Sequence, residues 1–110
     1  MAGEGDFLRD QYRIERILKI VGDVVDLLER QGVGFWPSEF KRCGEKLSRA
    51  GANEWGDEVL HLARTIKRWY GGMGSFNDLY LWNEQDRLDQ LREELGAEIR
   101  ALLRANPVSG

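Results

Sequence analysis

The sequence predicts an all-α fold: one domain of four helices with a glycine-rich corner before the last. Two patterns carry this expectation. Apolar residues recur in alternating steps of four and three along separate segments, the period of a single buried helix face. Glycine, proline or asparagine stands at the segment boundaries, where a helix stops or turns. A chain of 110 residues suits one core and is too short for two. Residues 1–110 are therefore read as one domain, with an ordered core over about 7–105.

The first helix is expected from about Asp6 to Gln31. Ile14, Leu18, Val21, Val25 and Leu28 form its stripe, which Ile17, Ile20, Val24 and Leu27 widen. Gly22 lies inside it, at a cost of roughly 1 kcal/mol relative to alanine, which predicts close packing by a neighbour. Gly32 is placed to cap the end. The second helix is expected to open at Trp36-Pro37, since a first-turn residue needs no N–H donor. Trp36, Phe40, Cys43, Leu47 and Ala50 follow the same steps, and Gly51 closes it. Cys43, the one cysteine, sits on that stripe as a small buried side chain.

The third helix is expected from Asn53 or Asp57 to Tyr70, with Trp55, Val59, Leu62, Ala63, Ile66 and Trp69 on its apolar side. His61, the only histidine, falls on the polar side. After the glycines, Asn77 or Asp78 is placed to cap a further element, and 79–82 reads equally as a helix start or a short extended segment. The last helix runs from about Glu84 to Ala105. Leu88, Leu91, Leu95, Ile99 and Leu102 make a narrow stripe, suited to docking on a bundle or to homodimer pairing with a second copy. The tryptophans Trp36, Trp55, Trp69 and Trp82 are spread one per segment, as shared core anchors would be; an aromatic ligand cage is the alternative.

Composition excludes several function classes. The net charge is -3, so the general basic surface that nucleic-acid binding requires is missing and no nucleic-acid partner is expected. No apolar run approaches the roughly 20 residues of a membrane span, the first six residues lack a signal-peptide pattern, and one cysteine suits a reducing compartment. These features predict a cytoplasmic protein with no membrane partner. No histidine pair, cysteine pair or Glu-x-x-His spacing supplies a metal site, and nothing calls for a cofactor. Charge is uneven: residues 71–110 carry seven acidic against four basic side chains, and 32–52 carry four basic against two acidic. Two solvated faces in mutual attraction, or an acidic face meeting a basic partner, would both produce this.

The stretch Gly71-Gly72-Met73-Gly74-Ser75-Phe76-Asn77-Asp78 is the most informative. Successive N–H groups of a glycine-rich turn converge on anions, and Ser75 and Asn77 would add donors. The Walker lysine is missing, and the third glycine of a dinucleotide fingerprint is replaced by Asn77. The structural alternative is a corner in which Gly71 or Gly72 ends the third helix in a left-handed cap. Ser75 has no histidine at a recognisable spacing, so no catalytic set is assigned.

From Gly71 to Leu81 the chain reads Gly-Gly-Met-Gly-Ser-Phe-Asn-Asp-Leu-Tyr-Leu, and here it resembles a family of small bacterial proteins of unknown function. The Leu27-Leu28 helix end and Leu88 to Arg92 extend the likeness. Arg68-Trp69-Tyr70 and Asn83-Glu84 depart from it. The resemblance implies no activity. Similar small acidic proteins are often encoded near toxin systems, which implies an immunity-like role by association. The resulting expectation is a module that binds another protein. Its candidate binding loop is Gly71, Gly72, Gly74, Ser75, Asn77 and Asp78, and its candidate partner face is Asp86, Asp89, Glu93 and Glu94. The alternative is a small-anion sensor or enzyme built on loop 71–78, with Arg64, Lys67 or Arg68 as charge partners.

Overall fold

The apolar stripes assemble as the periodicity predicts. The computed structural model describes residues 4–54, 56–71 and 75–106, with side chains from Gln11 onward. Trp55, Gly72 and Gly74 lie outside the described residues. The helices are α1 (Glu4–Arg30), α2 (Phe35–Ala52), α3 (Gly56–Arg68) and α4 (Gln85–Ala105), with one 3₁₀ turn at Phe76–Asp78. No strand occurs among the described residues, so 79–82 is neither paired strand nor helix.

Each helix packs on two others, α1 and α3 both lying between α2 and α4, which closes a ring around the core. Pairings along α1 fix the directions. Gly44 approaches Val21 and Gly51 approaches Ile14, so α2 runs antiparallel to α1. Arg30 meets Glu84, and Arg13 and Arg16 meet Glu98, so α4 does too. Glu84 and Glu98 are therefore paired by α1 rather than by the basic middle of the chain. Leu88, Leu91, Leu95, Ile99 and Leu102 all face the core, and the stripe offered above for self-pairing is buried within the monomer.

The glycines divide by cause. Gly32 caps α1 with φ +76°. Its N–H donates to the Glu29 carbonyl at 3.1 Å and that of Val33 to Leu28 at 3.0 Å, the two bonds of a Schellman motif. Gly51 does not close α2, which continues to Ala52 and is capped by Asn53, whose Nδ2 donates to the Arg49 carbonyl at 2.8 Å. Gly51 is instead buried where a Cβ would stand 3.3 Å from Ile14 Cγ2, which sets how closely α1 and α2 approach. Gly22 corrects the opposite way: it is exposed, with nothing within 4 Å of a built Cβ. α2 opens one residue earlier than Trp36, at Phe35, which leaves Pro37 within the first turn as expected, where its missing N–H costs nothing.

Urea titration should separate the two helical glycines. Gly22→Ala is expected to raise unfolding stability by roughly 0.5–1 kcal/mol. Gly51→Ala is expected to lower it, because the helix gain is offset by displacement of Ile14.

Candidate functional site

The connection from α3 to α4 is built inward around a buried ring and a buried guanidinium. α3 ends in tightened turns, with the N–H groups of Trp69, Tyr70 and Gly71 donating to the carbonyls of Ile66, Lys67 and Arg68. Gly71 does not take up the left-handed conformation, and Gly32 is the one positive-φ glycine among the described residues. The chain then returns. Phe76 N–H donates to the Trp69 carbonyl at 2.9 Å, and the Phe76 ring is fully buried. It packs edge-on to Phe40 and Tyr70, with centroids at 4.8 and 5.7 Å, and lies 5.6 Å from Trp36. Each such pair adds about 0.5–1.5 kcal/mol beyond area burial.

Arg92 of α4 holds the rest. It is 8% exposed, the one charged side chain among the buried residues described. Its Nη1 donates to the carbonyls of Phe76, Asn77 and Leu79 at 3.0, 3.1 and 2.9 Å. Its Nη2 donates to Asp89 at 2.6 Å, and the guanidinium lies 5.8 Å from the Phe76 centroid. Tyr70 Oη donates to the Arg92 carbonyl at 2.7 Å, tying the end of α3 to the same turn of α4. The Tyr70 ring lies over Gly96, where a Cβ would stand in ordinary contact with it at 3.5 Å.

Apart from Gly71, the glycine part of the anion nest considered for the loop lies outside the described residues; in the part that follows it, three carbonyls converge on a cation the chain itself supplies. The N–H groups of Phe76, Asp78, Leu79 and Leu81 all have acceptors: the carbonyls of Trp69, Ser75 and Phe76, and Gln85 Oε1. Ser75 Oγ is buried without a hydrogen-bond partner among the described residues, while the side chains of Asn77 and Asp78 are exposed. Neither of the latter caps α4. That helix starts after Glu84, which is left-handed at φ 61° and offers no side-chain cap. Arg30 and Gln31 of the α1 terminus hold the Glu84 carboxylate at 3.0 and 2.9 Å.

Between the turn and α4 the chain alternates. Leu81 is buried and Leu79 half-buried, while Tyr80 is 71% and Trp82 93% exposed. Leu79 is extended, at φ -65° and ψ 131°. The segment is clamped on either side of Tyr80. Arg92 holds the Leu79 carbonyl, and Gln85 Oε1 accepts from Leu81 N–H at 2.6 Å while its Nε2 donates to Asp89. Trp82 is thus no core anchor. Trp36 and Trp69, 5.6 Å apart and half-buried, are the two described tryptophans that pack on the core.

The predicted partner face splits. Asp86 and Glu93 are exposed on the outside of α4, Asp89 is engaged by Arg92 and Gln85, and half-buried Glu94 accepts from Gln90 at 3.2 Å. Arg68 is turned to Thr65. Lys67 lines a groove with Tyr70, Gly71, Gly96 and Arg100, and the cations that share a groove with Asn77 are Arg92 and Arg100, not Arg64 or Arg68. Among the described residues no cluster of histidine, cysteine or acidic side chains could hold a metal ion, and no helix is long and apolar enough to cross a membrane. His61 is exposed, in a groove with Cys43. Sequence reasoning missed Arg92, Tyr80 and Trp82. Two signals were available: the apolar–aromatic alternation over 79–82, and an arginine four residues before Gly96, on the edge of the leucine stripe.

Two predictions follow from these burials. Arg92→Ala leaves the Asn77 and Leu79 carbonyls without a donor, while Phe76 keeps that of Leu79, and should destabilise the fold by about 3 kcal/mol in urea titration, with Arg92→Lys in between because an ammonium lacks the planar fork. Burial raises the Cys43 thiol from its usual value near 9 to about 11, and burial also raises the Tyr70 phenol, against the nearby charges of Arg92 and Arg100. Both groups hold their protons more tightly folded than unfolded. Their stabilising contribution is therefore complete below the unfolded pKa of each; for Cys43 it is lost between pH 9 and about 11. Thermal melts across that range should show Tm falling, and less steeply in Cys43→Ala.

No curated protein and no solved structure matches the chain. The family model that does match covers residues 29–90, from the last turn of α1 through the whole clamped loop into α4. That span is more than half of the sequence, and it places the chain in the family described as a domain of unknown function, DUF6966.

Proposed function

We propose that this domain is a protein-binding module, of adaptor or immunity-like type, whose contact surface is the extended segment 79–82 with the outer face of the first turns of α4. One observation carries the reading: Trp82 stands 93% exposed on a backbone fixed at Leu79, Leu81 and Glu84. An indole offers roughly 150–250 Å² of surface for burial, and tryptophan and tyrosine are the residues that most often dominate interface energy. A mobile loop would lose much of that gain to ordering on contact, whereas a clamped one has little left to lose. Tyr80 projects beside it, and Asp86 and Glu93 lie on the exposed outer side of the adjoining helix.

The anion-sensor alternative has weaker support, since the N–H groups of Gly71, Phe76 and Asp78 already have acceptors and the carbonyls of Phe76, Asn77 and Leu79 face Arg92. Ser75, Asn77 and Asp78 enter the favoured reading as neighbours of the contact surface rather than as ligands.

Tyr80→Ala/Trp82→Ala should leave the melting temperature within about 2 °C of wild type, because exposed side chains contribute little to the core. Immobilised wild type should retain a partner from a lysate of the source organism, and the double variant should bind that purified partner at least about 30-fold more weakly. Equal affinity for wild type and variant would refute the reading.

A further inference from the structure

We infer that the occupant of this surface is a basic, arginine-bearing segment of another protein, bound in extended form with cationic side chains over Trp82 and Tyr80. The inference rests on the protein-binding reading and deepens it.

The chemistry of the surroundings selects the occupant. The two aromatic rings stand as exposed faces, and an open aromatic face attracts a cation through its quadrupole. Charge points the same way. Asp86 and Glu93 make no ion pair with described residues, whereas the cations on the first two turns of α4 and the end of α1 are engaged; Arg100 shares a groove with Glu93 but lies about four turns along α4 from Asp86. Arg92 is turned inward to three loop carbonyls. Arg87 faces Asp23 at 3.9 Å and donates to Gln90 at 3.2 Å, and Arg30 is held by Glu84. The outward potential over Trp82 is therefore acidic. A second copy of the chain would bring the same acids against themselves across an isologous contact. Nucleic acid and anionic lipid are repelled for the same reason.

Spacing adds register. Tyr80 and Trp82 are alternate residues leading into the bend at Trp82, at most about 7 Å apart along the chain, a spacing that alternate side chains of an extended partner can match. Arginine suits the role better than lysine because its planar guanidinium stacks on an indole and is more weakly hydrated.

The probes are the octapeptides (Arg-Ala)4, (Lys-Ala)4 and (Glu-Ala)4, titrated into full-length protein while following the Trp82 indole N–H resonance, assigned with Trp82→Phe. The expected result is saturable movement with (Arg-Ala)4, an apparent Kd at least tenfold weaker for (Glu-Ala)4, an intermediate value for (Lys-Ala)4, and a five- to tenfold loss for (Arg-Ala)4 in Asp86→Asn/Glu93→Gln. An indole unmoved by (Arg-Ala)4, moved equally by (Glu-Ala)4, or moved equally in the charge-neutralised variant would overturn the inference. A photo-crosslinking benzoylphenylalanine at exposed Asn83 separates this failure from failure of the parent reading. A cross-linked partner segment carrying Arg-x-Arg supports the inference. A neutral or acidic segment overturns it and leaves protein binding standing. No cross-link, together with wild-type partner retention by Tyr80→Ala/Trp82→Ala, overturns both.

Discussion

The end of the bundle at which α3 hands over to α4 depends on one buried guanidinium. Burying an arginine is costly unless its donors are matched and its charge is paired. Arg92 meets both conditions, with three carbonyls, the Asp89 carboxylate and the Phe76 ring around it. The dependence is mutual. The turn and the residue after it leave the Asn77 and Leu79 carbonyls without a backbone donor, and without them the buried arginine would keep only the exposed Asp89 carboxylate and one shared carbonyl. Phe76 cannot occupy its place among Phe40, Tyr70 and Trp36 unless the turn is held, and the turn is held only when α4 is docked. Loop, ring and helix are consequently expected to form or be lost as one unit.

The helices were legible in the sequence because their information is periodic. A stripe such as Ile14, Val21, Val25 and Leu28 repeats one message over many residues, and a single oddity does not obscure it. The α3–α4 connection resisted for the opposite reason. Its conformation is set by Arg92, some fifteen residues along the chain and on another element, so no local pattern states it. Glycine chemistry pointed to left-handed caps and backbone donors, whereas the controlling contact came from a side chain donating to carbonyls. Gly22 and Gly51 make the same point on a smaller scale. In sequence Gly22 reads as a close-packing site and Gly51 as a helix stop, and only tertiary contact shows open surface at the first and an approach to Ile14 at the second.

The tryptophans show where an even distribution misleads. One ring per segment is what shared anchoring predicts, and Trp36 and Trp69 conform. Trp82 does not, because burial alternates from Leu79 to Trp82, with the leucines inward and the aromatics outward. A period of two lasting four residues is brief beside the heptad-like stripes flanking it, yet it decides which face of the connection meets water and which meets the core.

Fold and the proposed contact surface are thus separable in this domain although they share a segment. The residues that define the loop, Phe76, Leu81 and Arg92, are buried, and altering them disturbs the bundle. Tyr80 and Trp82 touch little of the core, and stability gives no reason for large rings to stand there. The inner residues determine where the outer ones point, and the arginine that fixes the backbone also withdraws its charge from the surface. What remains outside is aromatic and acidic. The same interaction that closes the core therefore sets the sign of the field an approaching partner would meet.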